Sequence, residues 1–143
     1  MRRGAMALLV ALGASVLTAQ ALAAPRVVTD AGVVVERLLD EWRFAEGDKA
    51  LAALAQKHAG SAEVLYLEGY ARFLAGDYPA AVAKLRATIE KVPADSEAKG
   101  LLRLVQAADT AISGHKEGRS KHFVIRYPPE DAVLAELIVS YQN

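Results

Sequence analysis

Cysteine is absent from the 143-residue chain. That excludes disulfides, thiol catalysis, a thiolate metal site and a lipid-bearing N-terminal cysteine. An excess of one charge is absent too. Lysine and arginine number 17, aspartate and glutamate 17, and no basic block occurs that would track a phosphate backbone. Nucleic acid is therefore not expected as a partner. Histidine is scarce: His58, His115 and His122 are the whole set. None precedes another at the spacing of the helical zinc motif H-E-x-x-H. His115 and His122 flank Glu117, which leaves two readings, a metal site or solvent-exposed linker histidines. Ser15, Ser61, Ser96, Ser113, Ser120 and Ser140 all lie outside a G-x-S-x-G elbow. The phosphate-cradling G-x-x-x-x-G-K is missing. Glu63, Glu68, Glu90 and Glu97 fall on helical segments, where solvated faces are expected rather than a catalytic pair. The chain as given is thus expected to hold no catalytic residue, no cofactor and no metal.

What is present starts with a leader. Arg2 and Arg3 give a positive start, Ala5 to Leu17 is apolar and uncharged, and Ala21-Leu22-Ala23 is a small-x-small cleavage pattern followed by Pro25. Residues 1–23 read as a signal peptide. The alternative is a retained anchor, since residues 4–24 carry no charge and are nearly long enough to span a membrane. Gly13, Ser15, Thr18 and Gln20 weaken that alternative, so no stable span is expected after cleavage. Cleavage leaves 15 basic and 17 acidic residues. An exported chain without cysteine suits a bacterial periplasmic or secreted protein.

After a short linker, residues 24–29, the apolar period is helical. Asp30 is positioned to cap a first helix with Val34, Leu38 and Trp42 at i, i+4 and i+8, and Val35 and Leu39 beside them. A second helix over about 45–58 carries Leu51 and Leu54 inward. Gly60 stops it and Ser61 can cap the third, about 62–75. The fourth covers about 79–92. The fifth follows Asp95 and runs to Ser113, with Leu101, Val105, Ala108 and Ile112 as one stripe.

Within this array Leu65, Gly69, Gly76, Asp77, Tyr78, Ala81, Leu85 and Pro93 form a pattern with a physical job at each place. Gly69 and Ala81 are small enough for two helices to approach. Gly76 ends one helix and Asp77 caps the next. Tyr78 and Leu85 fill the space between, and Pro93 closes the unit. A shift of 34 residues carries Phe44 to Tyr78, Gly47 to Ala81, Leu51 to Leu85 and Ser61 to Asp95, whereas a shift of 31 carries Ala50 to Ala81 and Leu54 to Leu85. The first period is the one typical of tetratricopeptide (TPR) repeats, and residues 30–113 resemble two such repeats and a capping helix. The resemblance implies an all-α fold of antiparallel helical hairpins, a short solenoid. It also implies a protein or peptide as partner, held on the first helix of each pair. There Glu63, Tyr66, Tyr70 and Phe73 share one stripe. They are the groove candidates, and the alternative is that they pack against a neighbouring helix or a following domain.

Residues 114–119 read as a polar linker, and residues 120–143 as a strand and a helix that begin a second, truncated domain. Phe123, Ile125 and Tyr127 alternate with His122, Val124 and Arg126. Pro128-Pro129 stops the strand, and Leu134, Leu137, Ile138 and Tyr141 then return to helical period. No other strand is expected. This order resembles exported bacterial proteins in which TPR repeats precede a gluzincin-type zinc peptidase domain of the peptidase MA group. Phe123, Ile125 and Tyr127 match its opening strand, and residues 131–138 its first helix. The family's zinc ligands and catalytic glutamate would lie beyond Asn143. Two functions are therefore carried forward: an exported protein-interaction module, and the N-terminal part of a secreted zinc metallopeptidase.

Overall fold

Five amphipathic helices, two short strands and a last helix follow one another in the computed structural model, which describes residues 25–121 and 123–141. The expected signal peptide lies outside the described residues. The helices are α1 (Asp30–Asp40), α2 (Phe44–Lys57), α3 (Ala62–Leu74), α4 (Tyr78–Lys91) and α5 (Ser96–Ala111). Strands β1 (Lys116–Arg119) and β2 (Val124–Tyr127), a 3-10 turn (Pro129–Asp131) and α6 (Ala132–Tyr141) follow among the described residues. The protein is mainly all-α, with successive helices packed as antiparallel pairs.

The cap residues explain the bounds. Ser61 Oγ accepts from Val64 N and starts α3, Asp77 Oδ1 accepts from Ala80 N and starts α4, and Asp95 Oδ1 accepts from Ala98 N and starts α5. Asp30 is not the cap of α1. Thr29 is, its hydroxyl accepting from Gly32 N at 3.0 Å, while Asp30 is the first helical residue. Gly76 closes α3 with φ +74°. Its N–H donates to Phe73 O and the Asp77 N–H to Arg72 O, the two hydrogen bonds of a Schellman turn.

The structure also decides between the two registers. Helices α2 and α4 each have 14 residues, and every bound of one maps onto the other by 34. The turns obey the same shift. His58 N to Leu54 O and Ser61 N to His58 O repeat as Val92 N to Thr88 O and Asp95 N to Val92 O. The first pair even repeats the turn that Gly76 makes. Trp42, 34 residues earlier, takes φ +60°, with Trp42 N on Leu39 O and Arg43 N on Leu38 O. Trp42 therefore falls past the end of α1 and is 69% exposed. The inward stripe of α1 is Val35, Leu38 and Leu39, not the Val34–Leu38–Trp42 row.

One apolar cluster runs through the five helices. It contains Val35, Leu39, Leu51, Leu54, Val64, Leu67, Ala81, Leu85, Ala98 and Val105, flanked by Phe73, Tyr78 and Leu101. Gly69 makes the approach of α3 to α4 possible, since a Cβ there would lie 3.0 Å from Leu85 Cγ. Leu65 is half-buried and Pro93 is exposed in the turn before α5.

The strand at residues 124–127 has a partner, contrary to the expectation of a single strand after a linker. Lys116–Arg119 pairs with it antiparallel, Lys116 opposite Tyr127 and Arg119 opposite Val124. Glu117 faces Arg126 across the pair, so opposite charges hold a strand that has no apolar alternation. Gly118 lets α6 lie close, because a Cβ there would be 3.2 Å from Val139 Cγ2. The helix buries Ala135, and leaves Val133, Leu134, Leu137, Ile138 and Tyr141 exposed. The Arg126 guanidinium ties the hairpin to the helical layer, donating to Gly76 O at 3.1 Å.

Candidate functional site: an acidic aromatic face crossed by Arg26

Helix α3 touches both α1 and α5, and the chemistry of the molecule gathers on the face these three share. Glu63 enters from the first turn of α3 and is buried. Its carboxylate accepts from Thr29 N at 2.5 Å and from Thr29 Oγ1 at 3.1 Å. It thus places a negative charge at the N-terminus of α1, where the helix dipole favours one. Gly32 makes the room, since a Cβ there would lie 2.0 Å from Glu63 Oε1.

Tyr66 lies one turn further along α3 and is also buried. The guanidinium carbon of Arg26 sits 3.5 Å above its ring centroid. Arg26 Nη1 donates to Asp95 Oδ2 at 2.8 Å and Nη2 to Glu97 Oε2 at 2.6 Å. The side chains of Arg26 and Asp95 are only 6% and 5% exposed, that of Glu97 58%. Asp95 therefore serves twice, capping α5 with one oxygen and holding Arg26 with the other. Among the described residues Arg26 Nε is buried without a hydrogen-bond partner. The void beneath, between Arg26, Glu36, Glu63 and Tyr66, is about 10 Å³, at the lower limit for a water.

Tyr70 continues the stripe. Its ring stacks on Tyr66 with centroids 6.5 Å apart, and its hydroxyl donates to Asp40 Oδ1 at 2.6 Å. Phe73, half-buried, packs against Tyr78. Burial raises the Tyr66 phenol well above its ordinary range, with the charges of Glu97 and Glu36 adding to it. Burial and then the bond to Asp40 push Tyr70 up to about 12. Both hydroxyls stay neutral near pH 7. Burial, with the nearby charges of Glu97 and Asp40, also raises the Glu36 carboxyl, and Arg26 opposes that shift. The face is thus rich in carboxylates and aromatic rings, and Arg26 is seated among them.

Glu63, Tyr66, Tyr70 and Phe73 do share one side of α3. Glu63 and Tyr66, however, are not open to a partner, because residues 25–29 cover them. Glu63 also departs from the solvated face expected of it. Sequence reasoning missed Arg26, Glu36, Asp40 and the second role of Asp95. The available signal was Arg26 itself, the one charge in an otherwise uncharged stretch between residues 24 and 29.

Elsewhere a cleft of about 390 Å³ lies between α2, α3 and α4, and the Lys84–Glu68 ion pair of 2.6 Å lies on its wall. Among the described residues no three metal-ligating side chains come together, and His122 is outside them. No described helix is long and apolar enough to cross a membrane. Comparison with protein-family models, with curated proteins and with solved structures finds no match to this chain.

Proposed function

We propose that this chain is an exported, periplasmic or secreted protein-interaction module of the TPR type, without catalysis of its own, which receives a polypeptide on the face shared by α1, α3 and α5. The observation that carries this reading is the 34-residue repetition of the bounds of α2 in α4 and of the turns that precede and follow these two helices. A repeat of this kind sets successive first helices side by side and makes a continuous surface for contact. Tyr70 supplies an apolar ring with a hydrogen-bonding tip there, the side-chain type enriched where proteins bind.

A photo-crosslinking residue at position 70 tests the reading against one at position 86, an exposed residue of α4. Polypeptide adducts from position 70 alone are expected. Equal adducts from both positions, or none from either, would overturn it. Zinc-dependent peptide hydrolysis by the purified chain would overturn the non-enzyme part.

The second reading makes the chain the N-terminal part of a secreted zinc metallopeptidase of gluzincin type. Its support is the order of β2 and α6, together with the apolar face that α6 leaves exposed, a surface a larger domain would cover. An open reading frame running on from Asn143 into H-E-x-x-H on a helix, with a later glutamate as third ligand, would establish it. A stop codon there would remove it.

A further inference from the structure

We propose that the pocket of Tyr66, Asp95 and Glu97 is a receptor for an arginine side chain carried on an extended polypeptide, and that Arg26 is its resident occupant. A partner's arginine then binds by displacing residues 25–28. This rests on the protein-interaction reading above and names the chemistry of the partner.

The pocket fits a guanidinium in shape as well as charge. A flat aromatic face lies under the cation at 3.5 Å, and two separate carboxylates meet its two terminal nitrogens. A lysine ammonium is a point charge. It could not lie flat on Tyr66 and reach both acids at once. Glu36, Asp40 and Glu63 add negative charge on the flanking turns, which favours a cationic ligand.

The occupant already in place shows the binding mode. Residues 25–29 have no helix or strand. The Arg26 side chain is buried, while Pro25, Val27 and Val28 on either side of it stay exposed. One anchor in a pocket with free flanks is how a short extended peptide is held. The hold is also incomplete, because Arg26 Nε finds no acceptor among the described residues. A buried donor left unmatched lowers the affinity of the pocket for any guanidinium in this pose, so a partner that adds contacts along its flanks can displace the resident.

The test uses the acetylated and amidated peptide Pro-Arg-Val-Val-Thr, the sequence of residues 25–29, and the same peptide with citrulline for arginine. Citrulline keeps the shape and loses the charge. The chain with Arg26→Ala is expected to bind the arginine peptide about tenfold or more tighter than the wild-type chain does, because the competitor is gone. It is expected to bind the citrulline peptide at least as much more weakly. Adding Glu97→Gln should weaken the arginine peptide again. Equal binding of the two peptides, or equal binding by wild type and Arg26→Ala, would overturn the proposal. If Arg26→Ala is unfolded by circular dichroism, Arg26→Lys takes its place. It keeps the charge but cannot span both acids, so the arginine peptide should still displace it. Failure to do so at millimolar peptide overturns the proposal. Crosslinks from position 70 that persist while the arginine peptide fails to bind would discard the arginine receptor and leave the interaction module standing.

Discussion

The first helical pair and the second share one frame and solve it with different residues. At the crossing of α3 and α4 the small residues are Gly69 and Ala81, and Leu85 fills the space with no exposed surface. At the crossing of α1 and α2 the small residue is Gly47. A Cβ there would lie 3.0 Å from Leu39 Cδ2, and Leu51, the counterpart of Leu85, keeps 8% of its surface exposed. Asp77 caps α4 with its side chain, whereas Arg43 at the same place before α2 offers none. Gly76 turns the chain where a positive φ suits it, and Trp42 makes the same turn with a bulky side chain. The frame is set by which positions must be small, buried or turned, and several residue types meet each demand.

The two pairs should differ most in the energy of their cores. Leu85→Ala should cost about 3–5 kcal/mol and Leu51→Ala about 2–3 kcal/mol, because the Leu85 site is the more enclosed. Chemical denaturation of the two variants checks the order, and equal losses would mean that the pairs are packed alike. Overpacking comes next. Ala81→Leu should destabilise by about 1–3 kcal/mol, since the residue is fully buried at the crossing of α3 and α4.

The caps and the turn contribute less. Asp77→Ala should lose about 1 kcal/mol, while Arg43→Asp should gain somewhat less. The exposed pairs of Arg43 with Glu41 and Glu46 that it gives up contribute little. Trp42→Gly should stabilise by about 0.5–1 kcal/mol, read as a raised melting temperature. It removes a left-handed strain that a glycine does not feel, and loses the edge-on contact of Trp42 with Phe44.

The smallest effect concerns Glu36, whose counterpart in the second pair is Tyr70. The Glu36 carboxyl is raised in the folded state by burial first, then by Glu97 and Asp40. A raised acid favours its protonated form on folding. Its contribution is full below the unfolded value and is lost as pH climbs through the folded one. Glu36→Gln should therefore raise the melting temperature slightly at pH 7. It should also flatten the pH dependence just above the usual carboxylate range, as a pH series of thermal melts would record.

The helices were legible because their punctuation is local. Ser61, Asp77, Asp95 and Gly76 stand beside clear apolar periods, and the bounds followed within a residue or two. The register was not, since Gly47–Leu51 and Ala50–Leu54 are both small-then-large pairs at the same spacing. Only the helix bounds and turns distinguish them. Strand β1 hid because Lys116-Glu117-Gly118-Arg119 has no apolar alternation, and its place depends on charge across the pair. Arg26 hid for a different reason. A single cation in an extended segment has no periodic signature, and its acidic partners stand 69 and 71 residues further on. The stripe of Glu63, Tyr66, Tyr70 and Phe73 could be read from spacing alone, but what lies over it could not.

Glu63 also bears on how the molecule opens. The Thr29 N–H that begins α1 is held by a carboxylate from α3, not by its own helix. That amide should exchange its hydrogen slowly only while α3 is in place, so its protection reports on the second pair rather than on the first. Glu63→Ala should speed exchange at Thr29 and through the first turn of α1. The coupling predicts that the two pairs unfold in one cooperative step, where a string of independent repeats would fray from its N-terminal end.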